Sequence, residues 1–431
     1  MPPEPPSGPH ASHTPETDVD VLVVGAGPAG AATAICLAQA GRRVLVVDRA
    51  RFPRDKICGD GLTTSALREL ESLGLDPAAV ASWTDVGSVA MRSPRGHHVT
   101  FPLPRGSGRY GAVARRRDLD AALVDLARAS GATVAEGHPL RGARLDDATG
   151  DLVADVDGIG AVRARHGVGA DGMWSPLRKA LGVNPPAYRG EWHALRQYLT
   201  GVSDEAASTL TVWFEPDLLP GYAWSFPLGE GRANVGFGIQ RGGSYDVGDM
   251  GALWRELLAR PHIRSFLGPA AEPEGAHRAW PIPARVQHMT LAHGPVLFVG
   301  DAAAATDPMT GEGIGQALLT GRWAAEAILS VPASPATEGR RQAGESYRRR
   351  VHHELAVDHR LADRLIAVLR HRSGVRATLR AAGSTSWTRR NFARWLYEDY
   401  PRALLLTPSR WHRGMFTGPG AYRSGSVDGT A

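Results

Sequence analysis

Several stretches of this 431-residue chain combine residue types and spacings that suit chemistry. The first is Gly25-Ala-Gly27-Pro-Ala29-Gly30, with Asp48 and Arg49 about 20 residues on. In such a pattern Gly25 permits a tight turn, Gly27 lets the backbone approach a pyrophosphate, and Gly30 lets a helix pack closely on a strand. The phosphates would rest at the helix N-terminus, where free N–H groups and the macrodipole favour anions. Asp48 is then placed to accept the ribose hydroxyls of an adenosine. A second stretch, Gly169-Ala-Asp171-Gly172-Met-Trp-Ser175, is a strand end running into a turn and helix. A third is Gly300-Asp301, followed by Pro308-Met-Thr-Gly311-Glu-Gly313-Ile314. Asp301 ends an apolar run, where a carboxylate can accept hydrogen bonds from a hydroxylated chain. Gly311 and Gly313 bring backbone N–H groups at a helix start toward an electron-rich ring edge.

Two further stretches bear on a substrate. The loop Arg51-Phe-Pro-Arg-Asp-Lys-Ile-Cys58-Gly59-Asp-Gly-Leu62 has two glycines suited to close backbone approach. In Pro220-Gly-Tyr222-Ala-Trp224-Ser-Phe226-Pro227 the three aromatics alternate. Strand periodicity therefore puts them on one face, where they could wall a flat apolar slot or simply be sheet core. The slot is the preferred reading, because glycine and proline flank the run.

The elements that must position these residues follow from periodicity. Val21–Val24 and Val44–Val47 read as buried strands with a helix over 31–40 between them, a βαβ unit of Rossmann type. Helices are predicted at 63–74, capped by Thr63 or Thr64, at 118–131, near 249–259 and at 313–330. Residues 84–106 suggest short antiparallel strands, 132–168 a strand meander, and 182–290 a separate antiparallel sheet. From 340 to about 405 the chain looks helical. The expected class is α/β with an α+β second domain: a Rossmann-like dinucleotide-binding domain (18–78, 107–181, 292–332), an antiparallel-sheet substrate domain (79–106, 182–291) and a helical C-terminal region (333–410). A disordered tail (1–17) and a loose tail (411–431) complete the division.

In this order the three glycine motifs resemble the flavoprotein fold shared by aromatic hydroxylases, flavin halogenases and geranylgeranyl reductases. That resemblance implies FAD as cofactor, contacted by Gly25, Gly27, Ala29, Gly30, Asp48, Arg49, Cys58, Gly59, Arg116, Asp171, Gly300, Asp301, Pro308, Gly311, Gly313 and Ile314. Arg116 is flanked by Arg115 and Arg117, so its register is open. The loop PRDKICGDGL and the run PGYAWSFP, followed by Gly231 and Asn234-Val-Gly236, are similar to the geranylgeranyl reductase family over about residues 18–330. That family reduces isolated carbon–carbon double bonds of isoprenoid chains. By resemblance Cys58, Tyr222 and Trp224 are the catalytic candidates, and Tyr222, Trp224 and Phe226 line the substrate. The implied chemistry is hydride transfer from reduced flavin N5 to an alkene carbon, with a proton added to its neighbour. Tyr222, Cys58 or a flavin-bound water is the candidate acid. Cys58 is otherwise a small buried residue of a tight loop, and Lys56 is a surface charge or a phosphate contact.

Two other flavin chemistries compete. A monooxygenase would share all three cofactor motifs. A halogenase would show GWxWxIP where this chain has Tyr222 and Phe226, and only Lys56 and Lys179 could serve as its lysine. The reductant is left open among NAD(P)H, a reduced flavin and ferredoxin, so an electron-donor protein is an open partner.

Composition sets bounds. Hydrophobic residues are 43% and charged residues 22%, as in an ordinary globular protein. Residues 21–41 carry no charge, yet their glycines and Pro28 speak against a membrane span, and no basic n-region precedes them. Two cysteines make neither a disulfide scaffold nor a zinc site, so no metal is expected and the cytoplasm is the default location. A net charge of +5 without a recognition motif argues against nucleic acid. Residues 340–380 hold eleven arginines and four acids, a net of +7 that exceeds the whole chain's. A basic surface resting on anionic lipid at the inner membrane face is one reading. Helices with a solvated arginine face is the preferred one.

Overall fold

The computed structural model describes residues 17–104, 107–332, 337–411 and 416–423. The tail expected to be disordered thus lies outside the described residues except for Thr17, which opens the first strand.

The central sheet has a parallel core flanked by antiparallel strands. Strand β1 (Thr17–Val24) leads through the Gly25–Gly30 turn into α1 (Pro28–Gln39), which returns the chain to β2 (Val44–Asp48) beside β1. Helix α2 (Thr64–Leu73) starts where the Thr63 hydroxyl accepts from Ala66 N and stops at Gly74 in the left-handed conformation. Helix α3 (Arg116–Ala129) crosses over to β3 (Thr133–Glu136), parallel to β2. On the other flank β1 pairs with β4 (Gly160–Gly169), and β4 with β5 (Val296–Phe298), both parallel. The second half of β1, β2 and β5 are near-continuous Val and Leu because both faces are covered there. On one face α1 packs against α4 (Ile314–Leu329), with the Thr33 hydroxyl donating to Gly321 O at 3.0 Å.

Residues 132–168 are therefore not one meander. Only Leu140–Leu145, Leu152–Val156 and β4 run antiparallel in succession. The first segment, β3, follows a helix, and a helical crossover returns a strand parallel to its predecessor. Alternation along a strand does not reveal that choice of partner.

The second sheet is antiparallel except where Leu210–Trp213 runs parallel to Ser88–Arg92. Its two faces are chemically distinct. Leu195, Val235 and Phe237 face a core completed by Leu253, Trp254 and Leu257 of the helix Met250–Ala259. Phe237 stacks on Trp254 there at 6.1 Å between ring centres. The alternate residues, Trp224, Phe226, Asn234 and Gly236, turn instead toward the loop that follows β2.

Three helices form the C-terminal region: α5 (Thr337–Leu369), α6 (Arg372–Gly383) and α7 (Ser386–Leu396). Tyr347 of α5 donates to Phe298 O at 2.8 Å, and Phe392 of α7 lies 4.8 Å from Phe101 between ring centres. Part of the segment expected to be a loose tail is anchored. Arg109 N donates to Ala421 O at 2.6 Å and Gly420 N to Ser107 O at 2.8 Å. Two consecutive small residues, Gly420 and Ala421, let backbone meet backbone there, a non-local pairing with no periodic sign. Among the described residues no helix is long and apolar enough to cross a membrane.

Candidate functional site

The site begins at the turn between β1 and α1. Gly25 has φ +101°, and a Cβ there would lie 2.3 Å from Ala170 O. A Cβ on Gly30 would lie 1.8 Å from Gly25 O. Both glycines are thus required by the fold itself. Gly27 differs: its φ is −70°, and a Cβ would meet only the guanidinium tips of Arg54 and Arg116, at 3.6 and 3.9 Å. Helix α1 has Pro28 in its first turn, no side-chain cap and no acid. Its N-terminal amides and two cations therefore converge on the space above Gly27, a cradle for phosphate.

Asp120, fully buried, organises those cations. It accepts from Arg116 Nε and Nη2 at 2.7 and 2.8 Å, and Arg54 Nη1 lies 3.0 Å from its Oδ2. Arg115 pairs instead with Glu274, and Arg117 is exposed. Of the three consecutive arginines, Arg116 is the one that faces the turn. Burial opposes its charge, but Asp120 outweighs that and raises its pKa. Arg54 and Asp120 were not anticipated from sequence. The i, i+4 spacing of Arg116 and Asp120 was the available signal.

Other residues named for the dinucleotide end divide. Asp48 accepts from Ala26 N on one oxygen and Ala50 N on the other, both at 2.8 Å, which fixes it at the mouth of the turn. Arg49 beside it is exposed. Ala29 is buried in α1. Asp171 adjoins Gly25 and accepts from Leu177 N at 2.9 Å at the start of the next short helix. Burial pushes its carboxyl up to about 6.

The 58–61 loop meets the aromatic strand Ala223–Gly229. A methyl group at Gly59 or Gly61 would lie 3.2 or 3.3 Å from the Phe226 ring, and one at Gly59 would lie 3.8 Å from Trp224. Ring centres run 6.1 Å from Tyr222 to Trp224 and 6.0 Å from Trp224 to Phe226, a continuous row on one face. Asn234 ties strand to loop. It donates to Cys58 O and to Asp60 Oδ2, each at 2.8 Å, and accepts from Trp224 Nε1 at 3.2 Å. Asp60 is buried with φ +66° and also accepts from the Tyr198 hydroxyl at 2.7 Å. Desolvation pushes its carboxyl up to about 6 despite those donors. Cys58 is a free thiol pushed up to about 11 by burial, and so keeps its proton at neutral pH. Lys56 Nζ sits 4.1 Å above the Trp280 ring, and burial lowers its pKa against the pull of Asp301.

The third stretch closes the site. Gly300 (φ +56°) turns the chain out of β5, and Asp301 accepts from the Thr306 hydroxyl at 3.4 Å. Its carboxylate acts electrostatically on both Lys56 and Arg116. Pro308 and Ile314 are buried and Gly311 has φ +71°. The Tyr222 hydroxyl donates to Thr310 O and would lie 3.9 Å from a Cβ on Gly311. The aromatic row therefore spans from the 58–61 loop to the 306–313 loop. Glu312, which sequence reasoning left unassigned, is pushed up to about 8 by burial and by Glu398.

These residues fit an FAD. The glycine cradle and its two arginines suit a pyrophosphate, Asp48 would then meet the adenosine, and Asp301 with the Gly311–Gly313 backbone would meet the ring end. Among the described residues no group of side chains suits a metal ion.

Known proteins agree. The FAD binding domain family matches residues 18–358. The chain is 35% identical over 340 residues to a menaquinone reductase of Mycolicibacterium smegmatis, covering 73% of this chain and 77% of that one. It is 35% identical over 315 residues to digeranylgeranylglycerophospholipid reductase 2 of Methanopyrus kandleri, covering 72% and 76%. A solved geranylgeranyl bacteriochlorophyll reductase-like protein from Thermoplasma acidophilum superposes with a TM-score of 0.69 at 22% identity, over 88% of this chain and 100% of that one. That last likeness shows the fold alone. With the family match and the relatives together, the chain belongs to the geranylgeranyl reductase family of FAD-dependent oxidoreductases.

Proposed function

We propose that this protein reduces carbon–carbon double bonds in an isoprenoid or similar hydrophobic substrate. One observation carries the reading: the row Tyr222, Trp224 and Phe226 lies on the sheet face opposite the helix-backed core and joins the 58–61 loop to the 306–313 loop. An alkyl chain needs such an apolar wall with few polar groups. The relatives named as menaquinone and digeranylgeranylglycerophospholipid reductases supply the substrate class.

When bound, FAD in its reduced form supplies a hydride from N5. The chain supplies the rest. Gly27, Arg54 and Arg116 hold the phosphates, and Asp301 with the Gly311–Gly313 backbone orients the ring end. The aromatic row aligns the alkene and excludes water, which an unactivated double bond requires. Reduction also needs one proton per bond. Cys58 Sγ holds one at neutral pH and adjoins the loop that Phe226 and Trp224 cover, so we assign the proton to it. The Tyr222 proton is already committed to Thr310 O.

An anaerobic assay tests the reading. The flavin is reduced chemically, a polyprenyl quinone is added, and products are weighed by mass spectrometry. A gain of one hydrogen pair per reduced bond supports it. In a parallel run in air, a gain of oxygen, or a product dependent on bromide or chloride, would replace reduction by hydroxylation or halogenation.

A further inference from the structure

The ring-end loop is gripped from a part of the chain beyond the family match, which ends at residue 358. Asp307 Oδ1 gathers the turn, accepting from Thr310 N at 2.7 Å, the Thr310 hydroxyl at 2.8 Å and Met309 N at 3.0 Å. The other oxygen, Oδ2, accepts from Arg402 Nε at 2.8 Å, and both side chains of that pair are 2% exposed. Arg402 Nη2 also donates to the Thr310 hydroxyl at 3.2 Å and to Glu398 Oε1 at 3.3 Å. The same Glu398 oxygen accepts from Gln316 Nε2 at 2.9 Å, in the first turn of α4. Thr310 is thus held on both sides: its hydroxyl by Arg402, its carbonyl by Tyr222.

Burying a guanidinium with two carboxylates is a poor way to gain stability, since desolvation offsets much of the attraction. What it does supply is a fixed geometry, because the planar fork meets several acceptors at once. The geometry points to Arg402 as a positioning residue. It fixes the Asp307–Gly313 turn, so that the backbone facing the flavin ring and the Tyr222 side chain facing the substrate keep one relative position. This rests on the flavin site described above and deepens it: the C-terminal segment becomes a working part of that site.

The test uses full-length protein and three variants. Arg402→Lys keeps the charge and loses the fork. Thr310→Val removes the hydroxyl that Arg402 holds, and with it that hydroxyl's bonds to Asp307 Oδ1 and Glu312 N. Arg394→Lys is the control, a buried arginine of the same segment that pairs with Asp399 and donates to Gly418 O. Three quantities are read on each: the FAD dissociation constant of deflavinated protein, the visible band of the bound flavin, and kcat against KM. Arg402→Lys and Thr310→Val are expected to weaken FAD binding about 10-fold, to move the visible band and to lower kcat, as a misplaced reacting group does. Arg394→Lys is expected to lower only the melting temperature. If the first two variants behave as the control does, Arg402 is structural and the positioning role is overturned. If Arg402→Lys does not fold, Arg402→Gln takes its place beside the same control. Wild-type protein that takes up no FAD would instead overturn the cofactor assignment beneath it.

Discussion

The side-chain amide of Asn234 donates at 2.8 Å to the carbonyl of Cys58, and at the same distance to Asp60, joining the antiparallel sheet to the 58–61 loop. The amide oxygen meanwhile accepts from Trp224. One residue therefore sets the spacing between an aromatic wall and the loop opposite. Asn234→Leu leaves the Cys58 carbonyl, the Trp224 N–H and part of Asp60 without partners in a buried place. A stability loss of about 1–3 kcal/mol is expected, read as a lower midpoint in urea, together with a raised KM for substrate. An unchanged midpoint would show that the sheet and the loop are held together elsewhere.

Asp60 makes stability depend on pH with a definite sign. Its folded pKa is raised to about 6 from 3.8, chiefly by desolvation. A carboxyl raised in the folded state binds its proton more tightly there. Folding is thus favoured while the group is protonated, and stability falls as pH rises from about 4 through about 6. The contribution is on the order of 2–3 kcal/mol. Asp171, raised to about 6 by burial, acts with the same sign. Asp60→Asn tolerates the positive φ and keeps an acceptor for Tyr198. Thermal melts of deflavinated protein across this range should flatten in the variant relative to wild type. Equal slopes would remove Asp60 from the account.

Gly27 separates folding from cofactor binding. Its backbone suits alanine, and the nearest atom to an added Cβ is 3.6 Å away. Gly27→Ala should leave apo-protein stability within about 0.5 kcal/mol of wild type. It should weaken FAD binding by at least about 10-fold, because the methyl group occupies the space above α1 where phosphate belongs. Gly30→Ala, by contrast, collides with Gly25 O and should not fold normally. Flavin content measured beside a melting curve distinguishes the two.

Cys58 carries the proton in the proposed reaction. Cys58→Ala should retain FAD with the wild-type spectrum and lower kcat by about 100-fold, the usual worth of a positioned acid. Cys58→Ser should recover part of the loss. A variant with full turnover would reassign the proton to another group.

Much of this site is legible in the sequence because its parts are local. The turn at 25–30 is written in adjacent glycines, and the alternation of Tyr222, Trp224 and Phe226 places them on one face by strand geometry alone. What is not legible is set by contacts across the chain. Arg54 joins the phosphate cradle only because Asp120, on a different element, turns it there. Asn234 stands in the sequence only as part of a motif, and its role emerges when the fold lays it against the 58–61 loop. Arg402 is one of many arginines in the C-terminal part of the chain, and only tertiary structure shows it buried against Asp307. The parallel pairing of Thr133–Glu136 and the anchoring of Ala421 to Arg109 are likewise choices of partner, which periodicity does not encode.

The most direct measurement is a titration of oxidised, FAD-loaded protein with a polyprenyl quinone, following the visible spectrum of the bound flavin in wild type and in Phe226→Ala. Substrate lying along the aromatic row should perturb the flavin band saturably, and the variant should need about 10-fold more substrate while holding FAD as tightly as wild type. A protein that comes out colourless and takes up no FAD, or a flavin band indifferent to substrate in both proteins, would contradict the account.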